Sequence, residues 1–213
     1  MRLRVLILAV LVAGLIPLAA QPAAATTIDF RDALLPPGGA VTWHADGNVS
    51  GANIPIGAML VALAPLMNGS YIVTNGLLSF STGGMGGNFI TITGTVVGLL
   101  PNPVMGTLLS GIISSFDASM ASNGLVSAQG TDTKNANLLL DIGLSPGTLF
   151  NLFGFSLTTT PLTQGGPSGS AISTDIRNIS VVPEPATLAI LGAGLIGLAF
   201  ILRRRLGVLG NHA

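Results

Sequence analysis

The sequence predicts a mainly β protein, an antiparallel β-sandwich or jelly-roll-like domain between an N-terminal signal helix and a C-terminal single transmembrane helix. In residues 26–182, apolar segments last four to eight residues before a turn signal, and long stretches with helical periodicity are essentially absent. Parallel strands would need crossover helices, which this pattern lacks. Each chain end carries a separate apolar run with arginines beside it. These observations favour one antiparallel domain between two targeting segments.

The N-terminus has the three parts of a secretory signal peptide. Two arginines precede an apolar core at residues 5–18, and Ala23 and Ala25 are the small residues that signal peptidase needs at positions −3 and −1. Cleavage is therefore expected before Thr26, which makes residues 1–25 the signal peptide. A cut at an earlier Leu-Ala-Ala triplet and an uncleaved anchor are the alternatives. Each of them leaves the following domain outside the cytoplasm.

The 157 residues from 26 to 182 are enough for one domain with its own core. Strands are predicted at 40–44, 49–59, 69–74, 76–81, 88–96, 111–119, 124–130, 137–144, 150–160 and 171–181. Asp46-Gly47 and Asn75-Gly76 are dipeptides typical of hairpin turns, and the glycine-rich stretch 83–87 predicts a hairpin tip. About nine or ten strands result.

Alternation of apolar and polar residues predicts which side chains face the core. Apolar residues recur at alternate positions in three of the predicted strands. The predicted inward residues are Ile90, Ile92, Phe153, Phe155 and Ile176. Helix is expected to be minor in this domain.

Composition excludes several classes of function. The chain has no cysteine, so disulfides, thiolate nucleophiles and cysteine-bound metals are ruled out. The domain carries three basic residues against seven aspartates, without the clustered Lys and Arg that nucleic-acid binding needs. It contains no glutamate before Glu184, whereas glycoside hydrolysis uses a pair of carboxyl groups. Nucleic acid is not expected as a partner.

No catalytic constellation is visible in the domain. Its single histidine, His44, follows the single tryptophan, Trp43, and no Gly-x-Ser-x-Gly elbow is present. An aromatic ring beside an imidazole can contact a sugar, whereas neighbours on one strand usually point to opposite faces. We therefore expect no enzyme activity, no metal and no cofactor, and keep Trp43 and His44 as candidate ligand contacts. Calcium bound by Asp132 or Asp175 and backbone oxygens is the alternative, although no Asp-x-Asp-x-Asp-Gly spacing supports it.

The C-terminus has three parts in a fixed order. Pro183, Glu184 and Pro185 come first, followed by 17 uncharged residues at 186–202 and then three arginines. As a helix the uncharged run would cover roughly 25 Å, the short end of the transmembrane range. The arginines predict a stop-transfer signal that stays in the cytoplasm by the positive-inside rule. They are Arg203, Arg204 and Arg205.

A signal peptide combined with Val-Pro-Glu-Pro, an apolar helix and an arginine cluster resembles the PEP-CTERM family of Gram-negative surface proteins. The resemblance covers residues 181–205. It implies that an exosortase, a membrane-embedded cysteine transpeptidase, recognises Pro183, Glu184 and Pro185 and removes the helix. Residues 183–205 would then be the sorting and anchor segment, and residues 206–213 a short cytoplasmic tail. A permanent single-span anchor is the alternative.

These observations lead to an expected function. The chain is expected to be a non-enzymatic protein of the cell surface or the exopolysaccharide matrix, exported as a single-pass inner-membrane intermediate. Signal peptidase, exosortase, the inner membrane and extracellular polysaccharide are its expected partners. A carbohydrate-binding module and a hydrolase with an unrecognised site are the alternatives from other functional classes.

Overall fold

The computed structural model describes residues 25–32, 36, 38–99, 102–119 and 124–180. Nine strands lie within them: β1 Thr27–Arg31, β2 Gly38–Trp43, β3 Val49–Ala62, β4 Gly69–Thr82, β5 Asn88–Val97, β6 Val104–Ser119, β7 Gly124–Lys134, β8 Phe150–Thr159 and β9 Gly169–Ser180. A 3₁₀ turn at Gly84–Gly86 and helix α1 at Ala136–Asp141 are the helical segments of the described part. Neither has the length or apolar character to cross a membrane. The predicted signal and transmembrane helices lie outside the described residues.

All strand pairs are antiparallel, and the sheet closes on itself. From β3 to β9 each strand pairs with the next in chain order. The short strands β1 and β2 together fill the remaining place. β1 pairs with the C-terminal parts of β3 and β9, and β2 pairs with their N-terminal parts. The result is a closed barrel with eight strand positions.

The predicted mainly β, antiparallel character of the domain is confirmed, but its arrangement is a barrel and not the predicted sandwich or jelly roll. Short alternating strands with tight turns fit all three arrangements, because each buries one face of a sheet. The difference lies in pairing between distant parts of the chain. β1 and β2 bond β3 on one flank and β9 on the other, which leaves the sheet without an open side.

The core fills the inside of the barrel. Ile90, Ile92, Phe155 and Ile176 are buried as predicted, while the side chain of Phe153 lies outside the described part of the structure. The rings of Phe80 and Phe155 meet edge to face, with centroids 4.8 Å apart. Because Phe80 is on β4 and Phe155 on β8, at opposite positions of the ring, this contact crosses the barrel interior. The barrel is therefore packed rather than hollow along this line.

Asn75-Gly76, predicted as a hairpin turn, instead forms a bulge inside the continuous strand β4. The register shifts between Thr74 and Leu77, and Asn75 has a φ of 52°. A Cβ on Gly76 would clash with the carbonyl oxygen of Ile56 on the neighbouring strand. Asparagine tolerates a positive φ, and glycine has no Cβ. Both properties are needed in a bulge as well as in a hairpin turn, so the dipeptide alone could not distinguish the two.

The strand predicted at residues 137–144 is also wrong, because helix α1 lies there. The Asn135 side chain accepts hydrogen bonds from the backbone N–H groups of Asn137 and Leu138, at 3.0 and 3.4 Å, and so caps the helix. Leu138 and Leu139 are buried in the barrel core. The helix covers one end of the barrel with these two side chains. A short apolar run in the sequence fits a buried strand or a buried helix equally well, so the run alone did not predict this helix.

The barrel has two distinct ends. At the end we call lower, β1 begins, β9 ends, and connections 63–68, 98–103 and 135–149 join the strands. Connections 44–48, 83–87, 120–123 and 160–168 lie at the upper end. Thr26 and Ser180 are joined by two hydrogen bonds of 2.8 Å, from Thr26 N–H to Ser180 Oγ and from Ser180 N–H to the Thr26 carbonyl. Both flanking segments therefore leave the barrel from its lower end.

We predict that Phe80→Ala lowers the free energy of unfolding by about 3 kcal/mol or more, because it empties the centre of the core and removes the ring contact with Phe155. Phe89→Ala is the matched control, since Phe89 is 37% exposed on the outer wall. Urea denaturation of the full chain in detergent, followed by circular dichroism, measures both. Equal losses in the two variants would contradict the packed interior.

Candidate functional site

An open groove of about 620 Å³ lies on the outer wall at the upper end of the barrel. Strands β2, β3 and β4 form its floor, and the connections 44–48 and 83–87 form its walls. Its polar lining consists of Thr42, His44, Asp46, Ser50, Ser79 and Ser81. The groove thus offers hydroxyl, imidazole and carboxylate groups on one surface.

The sheet register explains why hydroxyl groups share the floor. Thr42 pairs with Ser50, Ser50 with Ser81, and Ser81 with Phe89, which places one row of side chains across four strands. Side chains opposite each other in an antiparallel sheet lie on the same face. The row ends at the exposed ring of Phe89. The side chains on the floor are small and carry hydroxyl groups, so they leave space above the sheet. The ring of Phe89 lies at the edge of this space.

The β2–β3 turn supplies the charged group of the groove. The predicted Asp46-Gly47 turn is confirmed: the His44 N–H donates to the Asn48 carbonyl at 2.8 Å, and the Asn48 N–H donates to Asp46 Oδ1 at 3.0 Å. Hydrogen bonds from the Asn48 side chain and backbone lower the pKa of Asp46 below its ordinary value. Asp46 is therefore a carboxylate at neutral pH and can accept hydrogen bonds from a ligand.

His44 contacts the floor of the groove. Its Nε2 lies 2.8 Å from Ser50 Oγ, at hydrogen-bond distance. A catalytic serine–histidine pair also needs an acid that orients the imidazole. Among the described residues the ion pairs are those of Arg31 and Lys134, so Asp46 does not form one with His44. The pair can bind hydroxyl groups, and within the described part of the chain no acid forms an ion pair with the imidazole.

The glycine stretch 83–87 forms a wall of the groove, a role that the sequence interpretation missed. Gly83 has a φ of 149°, and a Cβ there would lie 2.6 Å from Asn48 Oδ1 on the β2–β3 turn. A larger residue would therefore push the two connections apart. The clustering of glycines predicted a hairpin tip, but only the closed sheet shows which turn lies against it.

Trp43 and His44, the two candidate ligand contacts, point in different directions. Trp43 packs against the barrel core, and its indole Nε1–H donates to the Gly47 carbonyl at 3.3 Å. His44 is exposed and lines the groove. Of the two, the structure brings only His44 together with the polar groups of the groove.

Asp132 and Lys134 form an ion pair inside the barrel near its lower end. Both side chains are fully buried, and the Lys134 ammonium lies 4.4 Å from the centre of the Phe150 ring. Burial lowers the pKa of Lys134 to about 8 and raises the pKa of Asp132. The pair is shielded from ligands and neutralises its own charge, which indicates a structural role.

A second charged cluster lies on the outer wall, where β1 pairs with β9. Asp29 forms an ion pair with Arg31 and is the partner of Arg177 in the register, while Arg31 is the partner of Asp175. The neighbouring Asp29 carboxyl, and then burial, raise the pKa of Asp175 to about 6. The nearby arginines make this cluster unsuitable for a calcium ion.

The targeting residues fall mainly outside the described part of the structure. These are Ala23, Pro183, Glu184, Pro185, Arg203, Arg204 and Arg205. Ala25 is described, and it lies directly before the hydrogen-bonded Thr26. The barrel residues that adjoin the two predicted targeting segments, Thr26 and Ser180, lie at the lower end, opposite the groove.

Comparison with protein families gives one match. The family model described as the PEP-CTERM protein-sorting motif matches residues 181–205. Comparisons with curated proteins and with solved structures gave no match. The family match therefore concerns the C-terminal segment, and the barrel is interpreted from its own structure.

We predict that Asp175→Asn makes stability less dependent on pH. The pKa of Asp175 is about 6 in the folded chain against an ordinary value of 3.8, so its stabilising contribution is present below about pH 4 and is lost as the pH rises through 6. Asparagine does not ionise and can still donate to Asp29. The variant should match the wild type near pH 4 and exceed it by up to about 1 kcal/mol near pH 7.5, allowing for solvent screening.

Urea denaturation of the full chain at these two pH values measures the difference. Asp117→Asn is the control, because it removes a carboxyl from the same outer wall but outside the β1–β9 cluster. An equal change at both pH values would contradict the raised pKa of Asp175.

Proposed function

We propose that this PEP-CTERM sorting-motif protein is exported, processed by an exosortase and delivered as a non-enzymatic barrel to the cell envelope or the extracellular polysaccharide matrix. The sorting motif at residues 181–205 is the observation that carries the proposal. In this proposal the chain passes through a single-pass inner-membrane intermediate. The barrel is the exported domain, and the segment after it contains the sorting signal.

The chemistry of the motif supports this route. Proline cannot extend a helix and biases the residue before it towards an extended conformation, so Pro183 and Pro185 favour an extended strip that a protease can bind. Glu184 supplies the only carboxylate between the barrel and the uncharged run at 186–202. The three arginines that follow the run would stop transfer and hold the strip at a fixed height above the bilayer.

The non-enzymatic part of the proposal has support from the site geometry. The domain contains no glutamate, and its single histidine meets a serine while no acid among the described residues forms an ion pair with it. If the protein hydrolyses any polysaccharide in a substrate panel, the non-enzymatic proposal is wrong and the protein is a hydrolase.

A second candidate function is the binding of a neutral polysaccharide in the upper groove. The row of hydroxyl groups at Thr42, Ser50 and Ser81 leads to the exposed Phe89 ring, while the Asp46 carboxylate stands on the wall. Sugars are bound by such combinations of hydrogen-bonding groups and an aromatic surface. The groove is remote from the lower end, where the sorting segment leaves, so it would face away from the membrane.

We predict that Glu184→Ala leaves the barrel folded but retains the protein in the membrane fraction of a host with an exosortase, because the recognised strip loses its carboxylate. Replacing Arg203, Arg204 and Arg205 with serine should retain or misdirect it as well. Fractionation and mass spectrometry of the mature C-terminus provide the readout. Asp141→Asn, in the barrel domain, is the control. If the wild-type protein keeps residues 186–202 in such a host, the processing hypothesis is contradicted and a permanent single-span anchor remains as the interpretation.

For the groove, we predict that His44→Ala and Phe89→Ala each weaken binding to a retained polysaccharide by about tenfold, the loss expected for about 1.4 kcal/mol of contact energy. Leu125→Ala is the matched control, since Leu125 is exposed on the wall away from the groove. Pull-down with insoluble polysaccharides measures binding. If none of a panel is retained by the wild type, or all three variants bind equally, the groove is not a glycan site.

A further inference from the structure

The lower end of the barrel presents exposed leucines. Leu63, Leu66, Leu140 and Leu149 lie in its connections and are between 53% and 71% exposed. We call these four residues the leucine face. Four more exposed apolar residues, Ile72, Val97, Met105 and Ile179, lie on the outer wall beside this end. Other exposed hydrophobics are spread along the outer wall, whereas the four leucines are grouped in the connections of one end, and such a group points to a partner surface.

The leucine face belongs to an ordered cap. The Leu66 N–H donates to the Ile142 carbonyl at 3.1 Å, which joins the connection 63–68 to the segment after α1. Asn68 closes the same connection through two hydrogen bonds with the backbone of Ala64, at 2.8 and 2.9 Å. Leu63 has a φ of 60°, an unfavourable conformation for a leucine. The fold therefore holds these side chains towards solvent rather than leaving them on a loose loop.

The electrostatic character of the two ends differs as well. The connections 63–68, 98–103 and 135–149 contain one ionisable side chain, Asp141. In contrast, the upper β2–β3 turn alone carries His44 and Asp46. Within the described part of the upper connections, the large hydrophobic residue Leu162 is buried. An apolar, nearly uncharged end suits an apolar partner.

Chain continuity identifies that partner. β9 ends at Ser180 on the lower end, and the uncharged run begins at residue 186. The five residues between them span at most about 18 Å when extended. With the run in a bilayer, Ser180 stays within about this distance of the lipid surface, so the leucine face at the same end of the barrel has a high effective concentration there.

We propose that the leucine face docks on the lipid bilayer that holds the C-terminal run, so that the barrel stands on the membrane with its groove directed outward. The leucines enter the boundary between headgroups and acyl chains, as the apolar faces of interfacial segments do. This proposal rests on the membrane stage of the proposed sorting route, but not on the exosortase or on glycan binding.

The test uses the full chain reconstituted into phosphatidylethanolamine–phosphatidylglycerol vesicles. Because the chain has no cysteine, Leu66→Cys and Leu149→Cys each carry a single environment-sensitive fluorophore. Leu125→Cys and Ile172→Cys, exposed near the upper end, are the matched controls. We expect blue-shifted emission and quenching by spin-labelled lipid at the two lower sites and neither at the upper sites. Equal quenching at all four sites, or at none, overturns the proposal.

A second variant separates docking from simple tethering. Leu63→Ser with Leu140→Ser, in the chain labelled at position 66, should reduce quenching towards the level of position 125. Leu77→Ser with Ile112→Ser removes two exposed hydrophobics from the wall between the ends and should leave quenching unchanged. Unchanged quenching in both chains means that the tether alone brings position 66 to the lipid, which contradicts docking. Circular dichroism checks that each variant retains its β structure.

Two outcomes distinguish the remaining possibilities. A blue shift without lipid quenching means that another protein, including a second copy of this chain, covers the leucine face, and it overturns the lipid assignment. Flotation of the vesicles tests the anchor itself. A chain that does not float with them contradicts the membrane stage of the proposed function, whereas a floating chain without quenching contradicts docking alone.

Discussion

Closure of the sheet between β3 and β9 is the constraint on which the other features depend. The two short strands β1 and β2 fill one position, so one place in the ring is made from separate segments. This closure lets Phe80 and Phe155 meet across the interior. It also brings Thr26 next to Ser180, so the first and last parts of the barrel lie at the same end. Without closure, the sheet would have two open edges.

An exported domain without disulfides must be stabilised by its packing. The interior of the barrel also contains polar groups, and these lower the free energy of unfolding where they have no hydrogen-bond partner. Asp132 and Lys134 neutralise each other, but Asp132 Oδ2, Thr174 Oγ1 and Asn178 Oδ1 have no partner among the described atoms. Buried polar atoms of this kind reduce stability unless water reaches them. The apolar contacts around the Phe80–Phe155 pair must therefore offset this cost.

Local patterns predicted much of the fold, and distant pairing accounts for what they missed. Alternation identified Ile90, Ile92, Phe155 and Ile176 as core residues, because period-two burial is a property of a single strand. The bulge at Asn75-Gly76 depends on contact with Ile56, and closure depends on β9 bonding β1 and β2. For the groove, sequence reasoning found His44. It missed the hydroxyl row and the glycine wall, since these arise only when the register is known.

The difference between the two ends of the barrel bears on how the protein is sorted and then released in the proposed route. In the proposed route, the leucine face and the uncharged run contact the same bilayer while the groove faces outward. Removal of the run by an exosortase would leave only the leucine face on the lipid. A few side chains at the interface give weak and reversible binding, in contrast to a spanning helix. Docking would therefore orient the barrel while Pro183, Glu184 and Pro185 are being recognised, yet it would not retain the barrel after the cut.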